Sequence, residues 1–442
     1  MKQLVVIFTL WLAWMPVGAQ KTLTLEECLK LGIENNLSLE GSRNEMRKAK
    51  HLLSENRAKL WPQISAVAGF NDNFNPPVSV TDGSAYGNLY NVTKTLQYNA
   101  SAGLQLQMPL YNQTVYMAVD IARTLNELNR LSYEKAREDL MMQISKMYYL
   151  GQNTMEQLTL IQENMVRLRE LRDITLAFFD NGMAMEVDVK RVNINLENQQ
   201  VQYDNAKSML VQQLNLLKYV MDYPAEEEIT LTPVDTERMQ SASLTGLRSD
   251  LYELQLLQSQ EKLAGQQKDL IRQGYLPSLI LTGSWMYSAY TDKARHWFHS
   301  GPSNHWYPST GLGITLRVPI FDGFDKRARI RKAQIDQENA RLNYENTLKN
   351  MQTQYLNATN ELMNNQRNFK KQKDNYLLAE DVYQVTTDRY REGIASMTEV
   401  LQDEMRMSEA QNNYLSAHYN YQVANLALLK LTGQMDRLLQ GN

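Results

Sequence analysis

The sequence predicts a mixed fold in which long antiparallel coiled-coil helices are joined to four membrane-type β-strands, and three observations predict it. The chain is written twice. Its strand candidates alternate apolar and polar residues, and each half contains a stretch of about seventy residues nearly free of glycine and proline.

The repeat is carried by four anchors in one order. "ENNLSL" near Asn35 is answered by "RSDLYEL" near Asp250, and "LWPQISAVAGF" with Pro62 by "YLPSLILTGSW" with Pro277. Pro109, set among Leu104, Leu106, Leu110 and Tyr111, is answered by Pro319 among Ile314, Leu316, Ile320 and Phe321. "DNGMAMEVDV" is answered by "REGIASMTEV". Each unit reads helix, proline, strand, loop, strand, proline, long helix, glycine turn, helix.

Met1, Lys2, a short apolar run and "PVGA" read as a signal peptide over residues 1–19, so the mature chain is expected to be exported. The first repeat spans 20–233, with strands at about 63–72 and 98–109, a long helix at 113–180 and a return helix at 185–223. The second spans 234–433, with strands at about 278–290 and 310–320, a long helix at 324–392 and a return helix at 396–431. Residues 434–442 form a tail. "DYPAEEEITLTPV" interrupts the return path and is read, with the two termini, as a small side domain.

Ala102, Leu104, Leu106 and Met108 share one strand face, and Gln105 and Gln107 point the other way. Leu312, Ile314, Leu316 and Val318 similarly oppose Thr315 and Arg317. One apolar and one polar face suits a barrel wall with lipid outside and water inside. Gln105 and Gln107 are therefore read as facing a lumen, or else the junction with the loops. Residues 73–96 and 291–310 read as aromatic-containing surface loops. Four strands cannot close, so the chain must assemble with copies of itself. Two copies would give a filled eight-stranded barrel and three a twelve-stranded barrel with a lumen.

At 1.5 Å per residue each long helix reaches about 100 Å. A seam at Leu140, Ile144, Met147, Leu158, Ile161, Met165, Leu168 and Phe179 predicts coiled-coil contact, interrupted by Gly151, Thr154, Arg172 and Thr175.

Other classes find little support. The 46 basic and 49 acidic residues give no argument for nucleic acid binding. Cys28, the single cysteine, reads as a buried small hydrophobe rather than a lipid attachment point. His296, His299 and His305 lack acidic or thiol ligands at useful spacing, so no metal or other cofactor is expected. No nucleophile–base pairing or phosphate-cradling loop suggests an enzyme.

Together with "LTLEECLKLGIENNLSL", "VPIFDG" and "RYREGIASMTEVLQ", these anchors resemble the TolC-like family of outer-membrane efflux channels over nearly the whole mature chain. The resemblance implies a homotrimer with a twelve-stranded barrel in outer-membrane lipid and a helical tunnel across the periplasm. It also implies a periplasmic adaptor protein and, behind it, an inner-membrane pump of the resistance-nodulation-division type or an ABC transporter. By this resemblance Glu399 and Gln402 stand at the constriction, with Asp403 as a substitute for the acid that Gln402 lacks. Asp188 and Tyr390 match inter-helix gate links, and Arg389 or Arg391 replaces the basic partner absent at Ala395. Gly182, Met183, Gly393 and Ile394 form the helix tips that meet the adaptor, and Pro62, Pro109, Pro277 and Pro319 mark the barrel-to-helix transitions. The alternative is a periplasmic coiled-coil scaffold without transport activity.

Overall fold

The computed structural model describes residues 21–82, 87, 89–234, 246–293 and 306–440. The segment at 1–19 and the three loop histidines lie outside them. In chain order the first half comprises β1 (Lys21–Leu23), α1 (Leu25–Asn35), α2 (Leu37–Ala58), β2 (Gln63–Asp72), β3 (Val78–Asp82), β4 (Tyr90–Lys94), β5 (Tyr98–Tyr111), α3 (Gln113–Asp180) and α4 (Glu186–Met221). Then follow β6 (Ile229–Leu231), α5 (Tyr252–Gln273), β7 (Ser278–Thr291), β8 (Trp306–Arg317), α6 (Asp325–Arg391), α7 (Met397–Leu431) and a 3-10 turn at Met435–Leu439. No described helix is long and apolar enough to cross a membrane.

The described residues fall into two units. One gathers those of Met1–Asn44, Arg130–Leu256 and Tyr344–Asn442, the other Glu45–Asn129 and Leu257–Asn343. The second unit contains a four-stranded antiparallel sheet in the order β2-β5-β7-β8. The region read as a plain loop at 73–96 includes a hairpin of β3 and β4, paired from Val78↔Lys94 to Asp82↔Tyr90. Val80 and Val92 face each other there, a β-branched pair that supports the strands. Pro109 does not end its strand: β5 continues to Tyr111, with a register shift between the two residues, the kind of irregularity that accommodates a proline lacking an N–H.

In the first unit β1 pairs in parallel with β6, Leu23 opposite Leu231. α1 starts at a capping box, in which Glu27 accepts the Thr24 N–H at 2.8 Å. Around these lie Cys28, Leu29, Ile144, Met221, Leu428 and Met435, all buried. Burial pushes the Cys28 thiol up to about 12, so it packs as an apolar group. Tyr148 donates to the Leu23 carbonyl at 3.2 Å and Gln152 to that of Thr232 at 2.6 Å, tying α3 to the small sheet. Gly151 is explained here, since a Cβ at that position would lie 2.8 Å from Leu231 Cδ1.

The long helices α3 and α6 have 68 and 67 residues. Along α3, Leu140, Ile144, Ile161, Met165 and Leu168 are buried, as are Thr154 and Thr175. Phe179 is exposed, and its neighbour Phe178 instead packs 5.5 Å from the Tyr390 ring. Beyond Leu168 the stripe runs through the buried Leu171 and Thr175 to the half-buried Phe178, keeping an alternating spacing of three and four residues.

Glu138 on α3 faces Arg137 and Asp139 of its own helix, Lys430 at the end of α7 and Asp436 of the 3-10 turn. Burial, opposed first by Lys430, pushes its carboxyl up to about 7. The folded chain therefore holds a proton that the unfolded chain, with an ordinary carboxylate, has released. Its stability contribution is present below about pH 4.3 and is lost as pH rises through 7. Glu138→Gln is expected to raise the melting temperature at pH 8 and leave it nearly unchanged at pH 4. Equal shifts at both pH values would contradict the burial argument.

Candidate functional site

Cross-strand register decides how the sheet presents its side chains. Gln63, Ser65, Gln105, Gln107, Ser284 and Thr282 occupy neighbouring positions on one face, with Gly311, Gly313 and Thr315 continuing it on β8. The opposite face takes Ile64, Ala66, Leu104, Leu106, Leu281, Leu312, Ile314 and Leu316. Each strand alone suggests alternation; the register brings the alternations into phase across all four strands. Gln105 and Gln107 thus lie on the face of small and polar residues.

The apolar face carries rings toward the loop end. Phe70 stacks on Tyr98, Trp285 meets Tyr287 edge to face, and Trp306 lies on the row of Phe70. At the helix-joining end Trp61, Phe321 and Phe324 are exposed. A band of aliphatic residues between two sets of aromatic residues suits a bilayer core between its two interfaces. Pro62 and Pro277 immediately precede β2 and β7, and Pro319 lies two residues beyond the end of β8. All four long strands enter helices at this end.

In the first unit the two helix reversals use the same backbone device. Gly182 and Gly393 have φ of 72° and 75°, within the left-handed region that glycine enters without a Cβ penalty. The Met183 N–H reaches the Phe178 carbonyl and the Gly182 N–H that of Phe179, at 2.8 and 2.9 Å. Ile394 to Arg389 and Gly393 to Tyr390 repeat the pattern at the same distances, both closing as Schellman caps. Met183 and Ile394 remain about two-thirds exposed.

After the second reversal, Ser396 caps α7 and Glu399 completes a capping box, accepting the Ser396 N–H at 2.7 Å. That backbone N–H, then the Ser396 hydroxyl and the nearby Arg389, hold the Glu399 carboxyl below its usual value. Glu399 and Gln402 are exposed on the same helix face. Asp403 is turned inward, accepting from Thr386 at 2.8 Å and Arg406 at 3.1 Å, so it is not an exposed substitute for a carboxylate at position 402.

Tyr390 and Asp188 do not hydrogen-bond to one another within the chain. The Tyr390 hydroxyl reaches Thr175 Oγ1 at 3.5 Å, while Asp188 accepts from Arg191 at 3.2 Å. Arg391 is taken by Asp388 on its own helix at 3.0 Å, leaving Arg389 exposed beside Glu399. Next to the turns α4 is linked to α7 by Arg191, which also donates to Thr398 Oγ1 at 3.3 Å. Sequence reasoning missed Arg191, although it stands one helical turn after Asp188. Further along, Asn164 and Gln411 exchange buried hydrogen bonds at 2.7 and 3.3 Å, and Gln199 donates to Glu404 at 3.3 Å. Ala395 is buried in the apolar cluster between these helices.

Comparisons with known proteins bear on the family and the fold. The family model described as outer membrane efflux protein matches residues 29–221 and 248–434. Outer membrane protein TolC of Vibrio cholerae is 22% identical over 325 residues, which cover 70% of this chain and 68% of that protein. The probable efflux pump outer membrane protein TtgC of Pseudomonas putida is 21% identical over 324 residues, 71% of this chain and 63% of that protein. Among solved structures, the outer membrane protein VceC of Vibrio cholerae superposes with a TM-score of 0.75 at 15% identity, covering 92% of this chain and 96% of that one. The open state of the Neisseria gonorrhoeae MtrE outer membrane channel gives 0.74 at 19% identity, covering 92% and 88%. With both halves of the repeat matched and the fold shared, the chain belongs to the outer membrane efflux protein family and is an efflux channel component of the outer membrane.

Proposed function

We propose that three copies close their sheets edge to edge into a twelve-stranded barrel, and that the helices continue it as a passive exit duct across the periplasm. The observation that carries this reading is a sheet with segregated faces whose outer strands, β2 and β8, each have a neighbour on one side only. In lipid an unpaired edge costs several kcal/mol per backbone group, so copies must pair there. Eight strands would leave a barrel filled by its side chains, whereas twelve leave a lumen lined by the Gln, Ser, Thr and Gly face. From Leu316 to Trp306 a strand rises about 33 Å, or about 25 Å vertically at usual barrel tilt, matching an apolar band. Native mass spectrometry should give a trimer, and planar bilayers should show steady, voltage-tolerant conductance. A mature chain soluble without detergent and silent in bilayers would instead identify a periplasmic scaffold.

The helix tips at Gly182, Met183, Gly393 and Ile394 form the inner end, where exposed apolar side chains meet a periplasmic adaptor protein. An inner-membrane pump, of the resistance-nodulation-division type or an ABC transporter, supplies the energy. Glu399 and Gln402 line the constriction, and the Arg191, Thr398, Tyr390 and Thr175 contacts hold the helices while it is closed. Three converging carboxylates raise one another's pKa, and the Ser396 cap opposes that rise, keeping the ring ionised. A ring of this sign attracts cations.

Glu399→Gln keeps a capping-box residue while removing the charge. It is expected to lower cation preference and relieve divalent-cation block of single channels several-fold. Unchanged selectivity and block would remove Glu399 from the constriction.

A further inference from the structure

We propose that the groove at the foot of β8 binds the headgroup of an anionic glycerophospholipid in the periplasmic leaflet of the outer membrane. The proposal rests on the barrel reading above, because that reading places this end of the sheet at the periplasmic interface.

The groove, of about 470 Å³, is lined by Tyr275, Ile320, Phe321, Phe324, Arg327 and Arg331, among others. Its apolar part continues the outward row of β8: Leu312, Ile314 and Leu316 lead through Val318 to Ile320, which is 94% exposed. Phe321 and Phe324 meet edge to face at 5.6 Å and both remain exposed. The turn that sets them out is unusual. Gly323 and Phe324 have φ of 65° and 67°, and a bulky residue is rarely held in that region. Asp322 braces the turn by accepting the Phe324 N–H at 3.1 Å and the Lys326 ammonium at 2.9 Å.

Charge specifies the occupant. Between Ile320 and Gln334 stand five cations, Lys326, Arg327, Arg329, Arg331 and Lys332, against two carboxylates, Asp322 and Asp325. Lys326 pairs with Asp322 and lies 5.3 Å over the Tyr275 ring, and Arg329 pairs with Asp325 at 3.5 Å. Both carboxylates are thereby consumed. Arg327, Arg331 and Lys332 have no carboxylate partner among the described residues, and the two arginines face the groove. Free guanidinium groups beside exposed aromatic and aliphatic side chains, continuous with a lipid-facing strand, match a phosphodiester headgroup whose acyl chains run along β8. Lipid A phosphates do not fit, because in this reading they lie at the loop end of the barrel.

The test uses the detergent-purified full-length oligomer and native mass spectrometry with phosphatidylglycerol or phosphatidylcholine of identical acyl chains. Phosphatidylglycerol should be retained preferentially. Arg327→Gln combined with Arg331→Gln should weaken that retention about tenfold, while Arg327→Lys with Arg331→Lys should restore most of it. Lys370→Gln with Lys371→Gln, on the exposed middle of α6, should leave it unchanged. Equal retention of the two lipids, or no loss in the double Gln variant, would overturn the site. So would a photo-crosslinker at Phe324 that labels a neighbouring copy of the chain instead of lipid. Channels that conduct normally without preferring phosphatidylglycerol would lose the lipid site alone; failure to insert into bilayers would overturn the barrel reading and the site with it.

Discussion

With proline at position 144 the chain is expected to be exported normally and yet to yield no heat-sensitive oligomer. Ile144 is fully buried on α3, in the cluster that joins the small β1–β6 sheet to α1 and the end of α7. Proline there removes one helix hydrogen bond and clashes with the preceding turn, at about 3 kcal/mol or more. Loss of the buried side chain adds about 2 kcal/mol or more. Together these take a large part of an ordinary domain's stability, and in a trimer the loss would be incurred in each copy. Ile144→Val is the control, costing about 1 kcal/mol and keeping the oligomer. It has a second use. A methyl group on Gly32 would lie 2.2 Å from Ile144 Cδ1, the atom that valine lacks, so Ile144→Val should partly rescue Gly32→Ala. The readout is the gel shift between heated and unheated samples from outer-membrane fractions. Normal oligomer yield from Ile144→Pro would refute the role of this cluster.

The fold class was legible because its physics is periodic. Strands that are polar on one face and apolar on the other, and long segments without helix breakers, leave marks that a single sequence carries. What was less legible depended on partners distant in sequence. The in-phase polar face of four strands is a property of register, visible only once Gln105 is set opposite Ser284. Gly151 reads as a flaw in a heptad seam until Leu231 is found against it. At the helix turns, a motif shared with the family placed Glu399 and Gln402 on one exposed face, but it could not show that Asp403 turns toward Thr386. Nor could it show that α4 is tied to α7 beside the turns through Arg191. A hydroxyl such as Thr398 marks no partner in sequence, and an arginine of long reach has several within a turn.

The second large effect is expected at Gly103, which lies on the polar face of β5 between Val67 of β2 and Met286 of β7. A Cβ there would lie 2.2 Å from the Trp285 carbonyl oxygen and 2.7 Å from Met286 Cα. Those are backbone atoms of a paired strand, so neither can move without breaking the ladder that holds β5 to β7. Gly103→Val should therefore prevent the sheet from forming in register, and the chain should fail to appear as an oligomer in outer-membrane fractions. Gly311 and Gly313, on the same face, provide the contrast. Their added methyl groups would meet only the Ser284 and Thr282 hydroxyls, at 3.4 and 3.2 Å, and small side-chain rotations can relieve those contacts. Gly313→Ala should assemble and conduct, with conductance at most slightly reduced by a narrower lumen. Assembly and full conductance in Gly103→Val would mean that β5 and β7 pair in a different register, and the polar face assigned to the lumen would have to be redrawn.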